Sequence, residues 1–496
     1  MKINHSFLVA LIILGLMAAA CQPTASGGLQ TSTPATFTPS SRPPATPAPN
    51  FTATPNISVD TAALKGVHVR FWYPWTGALD QTVSNLVNEF NQQNQWGIFV
   101  ELTGYGGQDI LNGAVNSAIQ TGEQLPDVVI ASADTLNLWQ QATGQLVDLT
   151  SYVNLPSTGM TAQETADFFP VFWQQDMVVG QRLGVPAYRS GIVMFYNDSW
   201  AQSLGFESYP TTPDEFKTQV CAAAQANMKD ATRINDGFGG WIINTTPLVD
   251  WSWLKAFGFS DLPDADLSDF QFHTTVSESV LTFLRDLTSQ NCAWVASNPD
   301  PYEYFARRLA LIYTGTVEDT VTQDSTNQRL AAPDDWTVFP FPGKGGTPVV
   351  YTFGQSYGMF SSNLTEQMAS WLFIKWLLST QNQVSMVKAI GSYPLTNSAL
   401  TALADYGSQH PAWQKTTAWI GEAIPAPAAA EWGTVSNIVQ DSFWWNYQAP
   451  IMYANSGKPP AIGDILDQLN STVKEVLSEG ESQPTLTLSP TLTPTP

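Results

Sequence analysis

Strand-like and helix-like segments alternate between residues 67 and 131. The first segment, VHVRFWY, has the period of two that is typical of a strand, and its apolar face consists of Val67, Val69, Phe71 and Tyr73. IFVEL at 98–102 and DVVIA at 127–131 indicate two more strands, the second apolar enough to be buried on both faces. The helical stripes between them consist of Val83, Leu86, Val87 and Phe90, and of Ile110, Leu111, Ala114, Val115 and Ala118. Successive β-α-β units predict an α/β fold whose mainly parallel sheet offers ligand sites at the carboxyl ends of its strands.

Further helices and strands are indicated along the chain. Residues 212–215, TPDE, form a capping box with proline at the first helical position, so a helix that carries Cys221 begins there. Amphipathic stripes at 276–287 and 368–379 predict two more helices. LALIYTG and WTVFPF indicate strands, and the second leads into a glycine-rich loop at 343–346.

Two low-complexity segments flank this patterned region. Residues 21–65 and 476–496 are rich in Thr, Pro and Ser, a composition that buries too little apolar area to form a core. We interpret the first, after a signal peptide at 1–20, as an extended linker and the second as a disordered tail. The intervening residues 66–475 are too many for one small core and favour two lobes.

Charge and composition argue against several classes of partner. The chain has 20 Lys and Arg against 42 Asp and Glu, a formal net charge of -22 at pH 7, which argues against binding to nucleic acid. Because the chain has four His and three Cys, we expect neither an ordinary zinc or iron site nor a cofactor.

The sequence also offers little support for an enzyme. It contains no H-E-x-x-H helix, P-loop or dinucleotide fingerprint. A glycoside hydrolase would need two carboxylates that flank a cleft, and we interpret the acidic pairs at 318–319 and 334–335 as solvated charge. A glycoside hydrolase is therefore the less favoured alternative to a binding protein.

The N-terminus resembles a bacterial lipoprotein signal. Lys2 is followed by an apolar run over 7–17 and by three alanines directly before Cys21. The run is shorter than the roughly 20 residues that a membrane-spanning helix needs. Ala18 departs from the branched residue that is usual at its position, and Ala18 and Ala20 also satisfy the A-x-A rule. A lipid anchor at Cys21 and secretion without lipid both stay open, and both predict an extracytoplasmic location.

Cys221 and Cys292 remain once Cys21 is assigned to lipid. In an extracytoplasmic compartment a lone pair of cysteines more often forms a disulfide than stays reduced. We therefore expect a disulfide between Cys221 and Cys292.

Several longer segments follow one another in a characteristic order: VRFWYPW, GIFVEL, LPDVVIASADTLNLWQQATGQLVDLTSY, VPAYRSGIVMFYNDSWAQSLGF with YPTTPDEFKTQ, FARRLALIYTG, FGQSYGMFSSNLTEQMASWLFIKWL and GSYPLTNSAL. Together they resemble the extracellular solute-binding proteins of ABC transporters, in the branch that includes maltose- and other sugar-binding proteins. The resemblance implies a type II periplasmic-binding-protein fold, in which hinge strands join two α/β lobes that close on a ligand. One lobe would hold about 66–187 and 340–395, and the other about 188–339 and 396–475.

The same resemblance implies a function. It indicates a monomer that binds a mono- or oligosaccharide and delivers it to ABC permease subunits in the membrane. Polyamines or other small polar solutes stay open as ligands because the chain is strongly acidic. A surface carbohydrate-binding protein without a transporter is a further alternative.

The resemblance also indicates ligand-binding residues. Sugar sites combine aromatic platforms with carboxylates, amides and arginine. Asp134 matches an acidic residue that bonds ligand hydroxyls in relatives, with a helix N-cap as the alternative role, and Trp432 matches an indole that stacks on a sugar ring. The other candidates lie in loops and strand ends that the resemblance places at the cleft: Trp75, Thr76, Tyr188, Arg189, Ser190, Trp241, Asp250, Trp251, Gly315, Gln355 and Tyr357.

Some of these residues have a structural alternative. A solvated arginine is the alternative interpretation of Arg189, and at least one residue of the 241–253 segment is expected in the core. The tryptophans that we expect to pack in cores rather than bind ligand are Trp371, Trp376, Trp444 and Trp445.

The mature N-terminus distinguishes the two export outcomes. We expect mass spectrometry of the N-terminal peptide to find a lipid-modified Cys21, because the apolar run and the small residues place signal cleavage directly before it. An unmodified terminus at Cys21 or Gln22 would instead show secretion without a lipid anchor.

Overall fold

The computed structural model describes residues 57–481, with gaps at 245, 261, 263–266, 268–269, 297–299 and 455–456. Cys21 and most of the predicted linker and tail lie outside the described residues. The strands are β1 His68–Tyr73, β2 Phe99–Gly104, β3 Val128–Ala131, β4 Met177–Val178, β5 Gln181–Arg182, β6 Gly184–Asn197, β7 Trp241–Ile242, β8 Ala293–Trp294, β9 Ile312–Thr316, β10 Trp336–Phe339, β11 Phe341–Pro342, β12 Pro348–Val349, β13 Tyr351–Met359 and β14 Ile424–Pro425.

The α-helices are α1 Gly77–Gln93, α2 Gln108–Thr121, α3 Ala133–Thr143, α4 Thr150–Val153, α5 Ala162–Asp167, α6 Pro170–Gln174, α7 Asp198–Ser203, α8 Pro213–Lys229, α9 Pro247–Ala256, α10 Thr275–Ser289, α11 Tyr302–Ala306, α12 Asp319–Leu330, α13 Leu364–Leu377, α14 Thr380–Ile390, α15 Asn397–Ala402, α16 Ala404–Gln409, α17 Pro411–Thr417, α18 Trp432–Met452 and α19 Ile462–Glu481. Among the described residues, none of these helices is both long and apolar enough to span a bilayer.

The first three strands form a parallel sheet, as the sequence predicts. β1 pairs with β2 along its whole length and with β3 at Phe71 and Trp72. The capping box at the start of α8 is also confirmed, with Thr212 and Glu215 bonded to each other's backbone. The prediction that Ile110 belongs to the apolar face of α2 is wrong, since this side chain is 61% exposed. The buried face of the helix consists of Leu111, Val115, Ala118 and Ile119.

One strand joins two groups of strands into a single sheet. The main path of the sheet runs in the order β2-β1-β3-β13-β6-β9-β7-β8. β6 has 14 residues, and its first half pairs with β13 while its second half pairs with β9 and β10. A long strand that is shared by two groups of strands is a place where the two halves of a molecule can change their relative orientation.

Buried side chains form two separate cores. The first contains the apolar faces of β1, β3 and α1 together with α13, and the second contains those of α10, α18 and α19. The presence of two cores agrees with the expectation that residues 66–475 are too many for one small core. The residue boundaries predicted for the two lobes stay a prediction.

Both ends of the folded region extend beyond the predicted limits. Leu64 is fully buried in the first core, although the linker was expected to reach residue 65. At the other end, α19 continues to Glu481, past the predicted start of the tail at 476. The linker and the tail predicted from composition are therefore too long at these two boundaries. Leu64 packs in the first core, and Leu477 packs against the second.

The predicted disulfide is confirmed. Cys221 on α8 is bonded to Cys292, which precedes β8, with a distance of 4.4 Å between the two Cα atoms and a sequence separation of 71. The bond closes a long loop that includes α9 and α10. Such a loop restricts the unfolded chain, which stabilises the folded state by about 4 kcal/mol on the chain-entropy model.

We expect a Cys221→Ser/Cys292→Ser variant to lose about 4 kcal/mol in the free energy of unfolding, because the unfolded chain regains the entropy of the loop. Urea denaturation followed by far-UV circular dichroism measures this change. Reducing agent should destabilise the natural chain to a similar extent and leave the variant unchanged. Equal stability of both chains under oxidising conditions would contradict the prediction.

Candidate functional site

Polar side chains meet at the carboxyl edge of the parallel strands. Trp75 and Thr76 follow β1, and Asp134 lies three residues after β3. In the neighbouring antiparallel strand β13, Ser356 pairs with Ala131, the last residue of β3, so Gln355 lies just beyond that strand end. The topology therefore brings four of the predicted residues to one edge, as expected for ligand sites in α/β sheets.

A chain of hydrogen bonds connects two of these side chains, Trp75 and Gln355, to Gln108 and Asn112. Trp75 Nε1 donates to Gln355 Oε1 at 2.6 Å, and Gln355 Nε2 donates to Gln108 Oε1 at 2.7 Å. Gln108 Nε2 in turn donates to Asn112 Oδ1 at 2.8 Å. Trp75 is 9% exposed and packs in the first core, whereas Gln108 and Gln355 are half-buried, so the amide end of this chain borders solvent.

Gln108 is a site residue that the sequence analysis missed. It is the first residue of α2, which begins after β2, and β2 is parallel to β1. The available signal was its position, because the residue that opens the helix after a parallel strand lies at the same edge as Trp75.

Asp134 is half-buried at the second position of α3. Ser132 is the N-cap residue of this helix, so the alternative role proposed for Asp134 is wrong. Burial raises the pKa of the Asp134 carboxyl, although hydrogen bonds from Ser132 and from the backbone of Asp134 and Thr135 lower it in part. A partly desolvated carboxylate is a strong hydrogen-bond acceptor for hydroxyl groups.

The start of α18 lies against Asp134. A Cβ atom built on Gly433 would be 3.7 Å from Asp134 Oδ2. The preceding residue, Trp432, is 8% exposed and packs against Trp251, with 5.3 Å between the ring centroids. The two strongest candidates of the sequence analysis, Asp134 and Trp432, are therefore close in space, with the indole packed into the second core in this structure.

Three other candidates lie in the interior. Trp241 is fully buried and donates from Nε1 to Thr314 Oγ1 at 3.1 Å. Trp251 and Asp250 are each 1% exposed, and burial holds the pKa of Asp250 well above its usual range. Trp241, Trp251 and Trp253 all belong to the second core, which confirms the expectation of at least one core residue in the 241–253 segment. Trp241, Asp250 and Trp251 are therefore not presented to a ligand in this structure.

Arg189 is also an interior residue. Its side chain is 1% exposed and forms an ion pair with Asp176, with 2.9 Å between Nη2 and Oδ2. The guanidinium also donates to the backbone oxygen of Gln355 at 2.6 Å and to Ser356 Oγ at 3.1 Å. Both of its Nη atoms donate to protein groups and the side chain is buried, so Arg189 is neither solvated nor presented to a ligand.

Residues 354–358, GQSYG, match the G-x-S-x-G spacing of a hydrolase nucleophile elbow. The structure does not support that role. Ser356 lies within β13 rather than on a strand-to-helix turn, is fully buried and donates from Oγ to Asp176 Oδ1. The neighbouring Tyr357 is 1% exposed and contacts Met386 Sδ through its hydroxyl, so it packs the first core.

Two predicted residues of β6 contact an acidic residue that was misinterpreted. Ser190 Oγ donates to Glu318 Oε2, and Glu318 raises the pKa of the half-buried Tyr188, in addition to the larger effect of burial. Burial raises the pKa of Glu318 itself to about 7. The expectation of solvated charge at 318–319 is wrong, because the next residue, Asp319, accepts hydrogen bonds from Tyr302 and from the backbone of Thr316.

Gly315 lies in β9 beside the same acidic pair. A Cβ atom there would be 2.6 Å from Asp319 Oδ2, so the glycine leaves room for this carboxylate. The space beside Gly315 is therefore occupied by a protein carboxylate. In the described part of the chain, no three His, Cys, Asp or Glu side chains are grouped so that they could hold a metal ion.

The carboxyl of Glu318 should make stability depend on pH. Its pKa is about 7 in the folded protein and 4.5 in a solvated reference, so between these values the folded state holds a proton that the unfolded chain has released. The free energy of unfolding should therefore fall as pH rises from about 4.5 to about 7 and should stay low above that range.

We expect Glu318→Gln to reduce this fall, because the amide has no charge to desolvate. Urea denaturation at pH 4.5, 6 and 8 provides the measurement, and Asp335→Asn, which changes an exposed carboxylate, is the control. A pH profile of Glu318→Gln that is parallel to that of the natural chain would show that this carboxyl titrates normally.

Comparison with known proteins agrees with this architecture. Residues 85–419 match the family model described as bacterial extracellular solute-binding protein. No curated protein matches the chain by sequence.

Several solved structures have the same fold. The sugar-binding protein MalE from Xanthomonas citri has a TM-score of 0.68 and 20% identity, over 84% of this chain and 98% of that one. The cyclic alpha-maltosyl-1,6-maltose binding protein from Arthrobacter globiformis has a TM-score of 0.66 and 18% identity, over 84% and 100% of the two chains. An ABC substrate-binding protein from Listeria monocytogenes in complex with cycloalternan has a TM-score of 0.64 and 16% identity, over 83% and 99%.

Proposed function

Because the chain belongs to the bacterial extracellular solute-binding protein family, we propose that it captures a sugar for an ABC importer. The observation that carries the proposal is the group of Trp75, Gln108, Asp134 and Gln355 at the carboxyl edge of β1 and β3. We call this group the edge site.

The chemistry of the edge site suits a neutral polyhydroxyl ligand. Two side-chain amides and one carboxylate can donate to and accept from hydroxyl groups, and the indole of Trp75, which is 9% exposed in the first core, holds the amide of Gln355 beside them. Sugars present hydroxyls at the ring edge and apolar C–H groups on the ring face. Thr76 is exposed beside the indole and adds a hydroxyl group to the same edge.

The similar solved structures support a sugar as the ligand. One is named a sugar-binding protein, and the names of the other two refer to cyclic alpha-maltosyl-1,6-maltose and to cycloalternan. These are neutral oligosaccharides, and the edge site offers groups that can bind such hydroxyl-rich molecules. A mono- or oligosaccharide is accordingly the ligand class that we propose for this chain.

A polyamine is a weaker candidate for this site. The net charge of -22 would attract a polycation to the protein as a whole. At the edge site, however, Asp134 is the one carboxylate among the four side chains, so a polycation would find a single acidic partner there. A polycation needs several ionised acceptors, whereas a sugar hydroxyl needs only one good acceptor.

We propose that the bound sugar is delivered to permease subunits in the membrane. A lipid at Cys21 would keep the protein at the membrane, and the low-complexity linker would give it reach. Closure of the two lobes around β6 would enclose the ligand before transfer. A surface carbohydrate-binding protein would share the edge site but would need neither closure nor a permease.

Ligand binding can be tested with a thermal-shift screen of sugars, amino acids and polyamines. A ligand at 100 times its dissociation constant stabilises the folded state by about 2.7 kcal/mol, which raises the melting temperature measurably. We expect a neutral mono- or oligosaccharide to give the largest increase. Small-angle scattering of the same sample should show a more compact particle with the ligand than without it.

Asp134→Asn should weaken that ligand by about tenfold to a hundredfold, because a hydrogen bond to a charged acceptor is replaced by a weaker one. Isothermal titration calorimetry measures the change. Asp464→Asn is the matched control, since Asp464 is also an acidic residue in the first turn of a helix but lies on α19. If Asp134→Asn and Asp464→Asn have equal affinity, or if only polyamines bind, the proposed function is wrong.

A further inference from the structure

A cavity lies at the opposite edge of the parallel strands from the edge site. It has a volume of about 490 Å³, and the residues on which the argument rests are Trp96, Ser157, Glu164, Lys375, Trp376 and Thr380. Trp96 precedes β2, so the cavity borders the amino ends of the parallel strands, whereas the edge site borders their carboxyl ends. We call it the rear cavity.

Two half-buried indoles form part of the wall. Trp376 lies near the end of α13 with one side against Phe90, at 5.3 Å between ring centroids, and Trp96 lies in the loop between α1 and β2. Both line the cavity together with Phe168 and Leu372. Trp376 is therefore not wholly a core residue, and the two indoles offer apolar surface to a ligand.

The charged groups at the rear cavity are already compensated. Glu164 Oε2 accepts from the backbone of Thr161 at 2.6 Å and lies 3.8 Å from Lys375 Nζ. Asp167 Oδ1 accepts from the backbone nitrogen of Ser398 at 3.1 Å. A charged ligand would have to compete with these partners, whereas a neutral ligand could add hydrogen bonds to the oxygens that remain accessible.

Hydroxyl groups complete the polar part of the lining. They belong to Ser157, Thr158, Ser379 and Thr380, which come from two separate segments of the chain. Indoles, carboxylates and hydroxyls in one concave site form the combination that suits a sugar ring, with its apolar face and polar edge.

The walls are fixed before a ligand binds. Trp371 Nε1 donates to the backbone oxygen of Thr158 at 3.0 Å, and Gln383 Nε2 donates to that of Leu378 at 2.6 Å. Lys375 Nζ donates to the backbone oxygen of Gly159. These bonds connect the 157–160 loop to α13 and fix the turn into α14, so binding would not have to order the site.

We propose that the rear cavity is a second carbohydrate site, which binds one or two neutral sugar rings. Its volume lies within the range of about 300 to 1,000 Å³ that is typical of small-molecule sites. This site goes beyond the proposed function and does not depend on it, because it shares no residue with the edge site. It would let the protein hold a glycan chain while the edge site binds a separate ligand.

The proposal can be tested on the intact protein by saturation-transfer NMR and calorimetry with maltotriose, cellotriose and xylotriose as probes. Asp134→Asn serves as the background that weakens the edge site. We expect at least one of the three sugars to keep a saturable site in this background. Trp96→Ala should weaken that site by about tenfold, because it removes one apolar wall.

Thr380→Trp provides a second variant, because it fills the rear cavity from an exposed position instead of removing a buried contact. It should abolish the same binding even if Trp96→Ala does not fold. Trp445→Ala is the matched control, since Trp445 is a tryptophan on α18 that is 55% exposed, contrary to the expectation that it packs in a core. This control should bind as the natural chain does.

The outcomes separate the two proposals. Sugar binding that depends on Trp96 and not on Asp134 supports the rear cavity, and binding that depends on Asp134 alone overturns it while leaving the edge site in place. Absence of binding for all three sugars in the Asp134→Asn background also overturns it. If spermidine, and no sugar, loses affinity in Trp96→Ala, the ligand class is wrong.

Discussion

The ion pair between Arg189 and Asp176 is the interaction on which the centre of the molecule depends. Both side chains are almost fully buried, with 2.9 Å between Arg189 Nη2 and Asp176 Oδ2. The same guanidinium donates to the backbone of Gln355 and to Ser356 Oγ, so it connects β6, β13 and the segment before β4. Removing one member of such a pair leaves a buried charge without a partner, which costs about 3 to 5 kcal/mol.

The position of this ion pair links the fold to the edge site. Gln355 pairs with Tyr188 and Ser356 pairs with Pro186, so the ladder between β13 and β6 omits Ala187. An irregularity of this kind changes which face of a strand the following side chains occupy. Arg189 holds the backbone oxygen of Gln355 at the irregularity, while the side chain of Gln355 bonds to Trp75 and Gln108. A charge pair in the interior thereby helps to set the geometry of a polar group at the surface.

Local sequence patterns predicted the elements that depend on neighbouring residues. The alternation in β1, the apolar run in β3 and the capping box of α8 are properties of a few adjacent positions, and the structure confirms each of them. The family resemblance indicated Trp75 and Asp134, and both lie after parallel strands, where such a sheet offers ligand sites. The topology of the sheet follows from these segments because a β-α-β connection leaves few arrangements open.

Residues whose environment comes from distant segments could not be predicted in the same way. A pattern cannot tell that Arg189 meets Asp176, that Trp251 packs on Trp432 or that Glu318 meets Ser190, since the partners are far apart in the chain. Exposure of Ile110 and Trp445 depends likewise on which helix faces the rest of the fold covers. Residues that sheet topology places at the edge site could thus be predicted. The exposure of a residue that depends on a contact with a distant segment could not.

The chain of hydrogen bonds at the edge site has a fixed direction. An indole nitrogen can only donate, so the Trp75 bond places the oxygen of Gln355 toward the indole and its amide nitrogen toward Gln108. Gln108 is then oriented with its oxygen toward Gln355 and its nitrogen toward Asn112. The order of donors and acceptors along the edge is set before anything binds, and reversing one amide would leave two donors facing each other. A binding surface with such built-in polarity can discriminate between stereoisomers that differ in the orientation of a single hydroxyl group.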